Sequence, residues 1–195
     1  MYSGPILIKS IKETIYSFDL ISQVVSFAHE VNREKGLFYR TASMSGEQIK
    51  KVVANGDTFV AIIEDAVVGT ASVALHKGIH WYDRGRLVAH YCFDAVLPEW
   101  QGNGIMKLLD ERRDQFTLES GAEIIRSGTA EGNIIQRKRF IKQGFLPIDY
   151  KFIKGNNFFS VIYVKWLNTS KTIPKWKCFL AFLFRKLKTR LFSIK

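Results

Sequence analysis

The chain has 195 residues, of which 47% are hydrophobic and 24% charged, which fits one compact domain with room for a real core. Its net charge of +11 is unevenly placed: residues 150–195 hold 11 of the 29 Lys and Arg and none of the 18 acids, so residues 1–149 sum to zero. The basic character belongs to a tail, and the body excludes itself as a nucleic-acid binder on charge. Two cysteines, Cys92 and Cys178, exclude a disulfide framework and point to a reducing, cytoplasmic setting. Met1 to Ser10 lacks the basic and apolar regions of a secretory signal. The strongest apolar run, Phe179 to Phe184, is far shorter than a membrane span.

In chain order, Ile6 to Ile11 reads as a short strand. Ile15 to Arg33 has helical periodicity through Phe18, Ile21, Val24, Val25, Ala28 and Val31, ending near Gly36. Ser45 with Gln48 three residues on resembles a capping box and starts a second, short helix. Asp57–Ile63 and Val67–Leu75 are β-rich and read as a hairpin. Lys77–Arg86 is a loop containing Trp81 and Tyr82. A strand over Leu87–Val96, a glycine turn, and a helix over Gly104–Leu118 follow. Ala122–Arg126 reads as a strand. Asn133–Gln143 reads as a helix closing at Gly144, a common left-handed cap. Phe145–Ile153 and Phe158–Trp166 make a second hairpin around Gly155-Asn156-Asn157. The order predicts a mixed α/β fold with helices on both faces of the sheet.

The turn Val96-Leu-Pro-Glu-Trp-Gln-Gly-Asn-Gly-Ile105 carries the most information. Two glycines at a helix start let backbone N–H groups approach a ligand, and the helix N-terminus supplies unpaired donors and partial positive charge. The combination suits a phosphate or pyrophosphate. A P-loop needs Lys-Ser/Thr after its second glycine, where Ile105-Met106 stand. A dinucleotide fingerprint needs a third glycine at Lys107, although Glu123 lies at the distance of a ribose-binding acid. A plain strand-to-helix turn is the remaining reading of these residues alone.

A second motif, Asn133 to Phe145, follows the next strand. Together the two resemble the GNAT family of acyl-CoA-dependent N-acetyltransferases. Gln101-Gly102-Asn103-Gly104-Ile105 looks like the family's Q/R-x-x-G-x-G/A pyrophosphate loop, and Asn133, Lys142, Gly144 and Phe145 match its N-x8-K-x-G-F signature. The resemblance covers about residues 6–166 and implies a central mixed, mostly antiparallel sheet. It implies acetyl-CoA as donor and co-substrate, with no metal. Ala95, Val96, Gln101, Gly102, Asn103, Gly104, Ile105, Met106, Asn133 and Phe140 are the expected donor-binding residues. The fourth strand is expected to splay from the fifth, with an N–H near Val96 aimed at the thioester oxygen. Two positions depart from the family. Met106 stands where Gly or Ala is usual, and Phe140 stands where many members carry a proton-donating Tyr.

An amine acceptor must be neutral to attack, so a base is expected. His90, on the fourth strand, is the candidate, because an unperturbed imidazole titrates near neutrality. Asp94 is expected on the same strand face by period 2, where it can orient His90 through water, hold a cationic acceptor, or simply pair with a fixed partner. Cys92 lies between them, but direct transfer needs no nucleophile. His76 and His80 are separated by Gly78, so they are not read as metal ligands. Trp81, Tyr82, Asp83 and Arg84 form an acceptor wall or cap the core. Glu34, Phe38, Tyr39 and Arg40 occupy the region where family members build acceptor specificity.

In the tail, Trp176, Phe179, Leu180, Leu183, Leu187, Leu191 and Ile194 form one helical stripe, with Lys177, Arg185, Lys186, Lys188 and Arg190 largely off it. This is the composition of a basic amphipathic helix on an anionic membrane, and equally of a helix packed on this domain or on a second subunit. The sequence therefore predicts a GNAT-like domain over residues 1–168 and a basic amphipathic tail over 169–195. It predicts an N-acetyltransferase acting on a small-molecule amine, an amino-sugar or an envelope precursor, in the cytoplasm or at the inner face of the membrane. A non-catalytic acyl-CoA-binding module and a protein N-acetyltransferase are the alternatives.

Overall fold

A computed structural model describes residues 4–34, 44–153, 158–167 and 172–192. Seven strands form one sheet in the order β1-β2-β3-β4-β5-β7-β6. They are β1 (Leu7–Ser10), β2 (Asp57–Ile63), β3 (Ala66–Lys77), β4 (Leu87–Val96), β5 (Ile124–Ala130), β6 (Leu146–Ile153) and β7 (Phe158–Trp166). The helices are α1 (Phe18–Glu34), α2 (Gly46–Val52), α3 (Ile105–Glu119), α4 (Ile134–Lys142) and α5 (Lys175–Phe192). Every neighbouring pair of strands is antiparallel except β4 and β5.

Helix α1 buries the face its periodicity predicts, whereas α3 buries Asp110, Arg113 and Thr117 beside its predicted Ile105 and Leu109. Ile21, Val24, Val25 and Ala28 of α1 meet Ile49 of α2 and Val60 and Ile62 of β2 on one face of the sheet. Ile105 and Leu109 of α3 and Phe140 of α4 pack with Phe59, Ala71, Val73 and Tyr91 in the other cluster. Ser45 and Gln48 form both bonds of the capping box at α2. The helix expected from Ile15 begins at Phe18, because a short 3-10 turn over Ile11–Glu13 takes up the preceding chain. The end proposed near Gly36 and the turn at Gly155 lie outside the described residues. The strand expected over Ala122–Arg126 runs instead over Ile124–Ala130. Its later half, Ser-Gly-Thr-Ala, carries no hydrophobic alternation, yet it pairs with β7 residue by residue to Ala130↔Ser160.

The tail helix α5 is seated on the domain beside β6, the last strand of the sheet. Cys178 is 1% exposed and Phe182 8%, and Phe182 meets Tyr150 edge to face. Lys186 and Arg190 converge on Glu131 at 2.7 and 3.0 Å, and the Tyr150 hydroxyl donates to the same carboxylate. Thr189 donates to the Tyr150 carbonyl at 3.1 Å. The helix thus docks through Cys178, Phe182, Lys186, Thr189 and Arg190. The stripe of Trp176, Phe179, Leu180, Leu183, Leu187 and Leu191 points away and is exposed. Ile194 lies outside the described residues. Phe182→Ala is expected to lower stability by about 3 kcal/mol through lost burial and a cavity. Urea unfolding measures this, and an unchanged midpoint would mean that α5 is not seated as described.

Candidate functional site

The parallel pairing of β4 with β5 is brief. It spans Val88↔Ile124, Ala89↔Ile125 and His90↔Arg126. Beyond it β4 continues with β3 as partner and β5 with β7, so the two strands part and a cleft of about 1200 Å³ opens between them. With the exception of Asn103, every donor-site and catalytic residue predicted from the sequence lines this cleft. Asn103 instead donates to the Trp100 carbonyl at 3.2 Å.

At one end of the cleft stands the N-terminus of α3. Its cap is Gly104, at φ 78°, with no side-chain capping bond. Lys107 and Leu108 N–H groups both go to the Gly104 carbonyl. Among the described residues, no protein acceptor takes the N–H groups of Ile105 and Met106, as expected for a first helical turn. Gly102 and Gly104 adopt the left-handed region, which favours glycine, and a Cβ on either would meet no atom within 4 Å. Open space, unpaired donors and a helix N-terminus together fit a phosphate. Met106 packs partly buried against the core, and its backbone stays at the cleft.

Gln101 does not point to this space. Its Nε2 donates to the Val96 carbonyl at 3.0 Å, tying the turn to the end of β4. Leu97 N–H donates to Val68 on β3, so by alternation the N–H and C=O of Val96 face the opposite side, into the cleft. Asn133, 1% exposed, caps α4 by accepting from Gln136 N–H at 3.1 Å. Its Nδ2 is buried at the cleft with no partner. An unpaired buried amide donor is costly, and an acceptor on a ligand in the cleft would satisfy it. Phe140 is 4% exposed and packs against Phe145 and Tyr163. Its ring fills core and has no proton to give.

The structure separates the two catalytic candidates. In β4 the residues Phe93 and Asp94 together oppose Ala71, a bulge that holds Phe93 at φ 55°. The bulge reverses the side-chain alternation, so the expectation that Asp94 shares the face of His90 fails. Asp94 turns toward α3 and pairs with Arg113, which is 2% exposed. Arg113 also donates to Asp110 at 2.8 Å and lies over the Tyr91 ring. Burial works against this guanidinium's charge, but Asp94, with smaller contributions from Tyr91 and Cys92, offsets it and the net shift is upward. Of the roles open to Asp94, the fixed partner at the strand end is the one whose geometry is present.

His90 faces the other way, edge to face with His76 at 6.3 Å. Burial, then the charge of Arg126, pushes its pKa down to about 4, so the ring is neutral at physiological pH. Burial, and next Asp94, pushes the Cys92 thiol up to about 12, which argues against an acyl-cysteine. Near His90 lies a group the sequence did not single out as a unit. Arg126 donates to Asp83 at 3.2 Å and to His76 Nε2 at 2.9 Å, and Asp83 also accepts from the His80 N–H at 2.7 Å. Asp83 is fully buried, and Arg126, Tyr82 and His80 line the cleft with Lys151. Within the loop, Tyr82 is buried and caps the core while also lining the cleft, whereas Trp81 is half exposed. The only sequence signal for this cluster was the loop's aromatic content. Phe38, Tyr39 and Arg40 lie outside the described residues.

An α/β sheet that splays beside an uncapped helix N-terminus defines a binding fold for a long, phosphate-bearing ligand. Residues 24–145 match the family model described as Acetyltransferase (GNAT) family, and the chain belongs to that family; it is an acyltransferase. Solved structures agree in fold. The NatC complex bound to Gag peptide and CoA matches at 16% identity, over 85% of this chain and all of that one, with a TM-score of 0.65. An acetyltransferase from Streptococcus agalactiae matches at 20% identity, over 83% and 98%, with a TM-score of 0.61. A GNAT family acetyltransferase from Elizabethkingia anophelis with acetyl-CoA bound matches at 16%, over 83% and 98%, with a TM-score of 0.57. No curated protein matches the chain.

Two predictions follow from the geometry of β4. Arg113→Met leaves Asp94 and Asp110 without their cation and is expected to cost about 3 kcal/mol in denaturant unfolding; a neutral result would remove Arg113 as the clamp of the bulge. The His90 pKa in the folded chain lies below its unfolded value, so the unfolded chain binds the extra proton. The contribution of the neutral ring to stability is complete above pH 6.5 and is lost as pH falls toward 4. His90→Gln is expected to lose less thermal stability than the parent between pH 6.5 and pH 4.5. Equal losses would place His90 in solvent.

Proposed function

We propose that this chain transfers an acetyl group from acetyl-CoA to a primary amine of a small molecule, an amino-sugar or an envelope precursor. The observation that carries the reading is the pair of open donor sets that line one cleft: the α3 N-terminus for a pyrophosphate, and the Val96 N–H for a thioester oxygen. We assign the chemistry to residues 1–168, with residues 169–195 as an appended basic tail, and place the reaction in the cytoplasm or at the inner face of its membrane.

In this mechanism the backbone N–H groups of Gly102, Gly104, Ile105 and Met106 hold the pyrophosphate. The Asn133 amide donates to a pantetheine carbonyl, and the β4 edge from Ala95 to Val96 aligns the arm. The neutral amine attacks the thioester carbon, forming the new C–N bond. The Val96 N–H holds the oxyanion of the tetrahedral intermediate. The C–S bond then breaks, and coenzyme A leaves as a thiolate, a fair leaving group that needs no acid where Phe140 stands. His90 lies six residues from Val96, up to about 20 Å along extended strand, and burial holds its pKa at about 4, too low for the ring to keep the amine's proton, so water takes that proton.

Asn133→Ser keeps a good helix cap and removes only the amide donor. It is expected to weaken acetyl-CoA binding about fivefold in calorimetry with little change in stability. Release of free thiol across a panel of amines, amino-sugars and peptide N-termini tests the activity. Turnover on peptides alone would move the acceptor to proteins, and acetyl-CoA binding with no turnover on any acceptor would overturn the transfer reading. His90→Gln is therefore expected to leave kcat within about threefold of the parent, and a hundredfold loss with acetyl-CoA affinity unchanged would restore the ring as the base.

A further inference from the structure

We propose that the outward face of α5 is a docking surface for an anionic lipid bilayer. The helix has two faces of opposite use. The inward face carries Cys178 and Phe182 into the core and sets Lys186 and Arg190 on Glu131, with Arg185 3.8 Å from Asp149. The outward face carries Trp176, Leu180, Leu183, Phe184, Leu187 and Leu191, each between 37% and 71% exposed. Nothing else in the described fold covers it. So long an apolar stripe, held outward by a helix whose other face is already engaged, marks an interaction site.

The charge decides the occupant. Residues 150–195 contain no acid, and the charges of α5 that border the stripe are bases, with Lys177 and Lys188 along one side and Lys175 along the other. A second copy would bring the same bases to the same rim, and like charges around an apolar seam oppose association. An anionic lipid surface offers the complementary charge together with an apolar interior for Leu183, Leu187 and the Trp176 ring. No helix of the described residues is long and apolar enough to cross a membrane, so the contact is with the surface. β6, against which α5 rests, also lends Lys151 and Ile153 to the cleft, so bilayer and cleft flank the same strand.

The test is co-sedimentation of the full chain with vesicles of phosphatidylglycerol and phosphatidylcholine in equal parts, beside vesicles of phosphatidylcholine alone. The full chain is expected to pellet with the anionic vesicles and not with the neutral ones, and to be released in part by salt. Leu183→Glu with Leu187→Glu is expected to reduce binding about tenfold or more, because both side chains are exposed and the folded domain does not use them. Circular dichroism and acetyl-CoA affinity of the double variant are expected to match the parent. Failure of the full chain to bind anionic vesicles, or equal binding by the double variant, overturns the proposal. So does a dimer in sedimentation that the double variant abolishes while vesicles leave the parent in solution.

Discussion

The cleft depends on one buried cation. A guanidinium removed from water is expensive unless its charge and donors are matched. Arg113 meets the carboxylates of Asp94 on β4 and of Asp110 one turn earlier on α3 and donates to the Ser72 carbonyl on β3, and of its donors Nε is buried without a partner among the described residues. Asp110 is itself held by Arg139 and Gln143 from the end of α4 and beyond. The charge therefore ties two strands and two helices together. For Asp94 to reach Arg113 it must turn toward α3, and a regular strand would have turned it the other way.

That bulge does more than place a side chain. Leu87 turns its carbonyl toward β5, where it accepts from Glu123 N–H. Leu97, an even number of residues later, turns its N–H toward β3 instead. Ten residues of unbroken strand would have kept both on the same side. The extra residue at Phe93–Asp94 reverses the direction, and the reversal is what leaves the Val96 N–H facing the cleft rather than the β3 ladder. The Val96 N–H, the oxyanion donor of the proposed mechanism, is thus turned to the cleft by a strand irregularity, beside which Asp94 is paired with the buried Arg113.

Legibility from the sequence follows the range of the interactions. The hairpin strands, the helices, the capping box and the glycine turn are specified by residues within a few positions of one another, and these were readable. So was the cleft's lining, because the two family-like motifs mark both sides of the gap. The bulge was not readable, since Phe93 and Asp94 look like ordinary members of a β-rich run. Its cause is Arg113, nineteen residues away within the charged stretch Asp-Glu-Arg-Arg-Asp, which has the look of a solvated helix face. The Asp83–Arg126–His76 cluster joins a loop, β5 and β3 across fifty residues and leaves no local pattern. The later half of β5 was hidden for a related reason: Ser127 and Thr129 are polar, yet they sit buried beside the cleft.

The charge of the tail has a similar division. Its total is visible in the composition, but the fold splits it by direction. Glu131 draws Lys186 and Arg190 inward, and although burial pushes its pKa up, the hydrogen bonds to Lys186, Tyr150 and Arg190 together hold the carboxyl well below the usual range, at about 2. Glu131 lies between Ala130, which lines the cleft, and Asn133, which caps α4 beside it. The inward bases of α5 therefore brace the turn that presents Asn133 to the cleft, and the bases left over border the apolar stripe. Among the described residues the ion pairs of α5 are to Glu131 and Asp149, which leaves Lys175, Lys177 and Lys188 as the bases available to the proposed lipid surface.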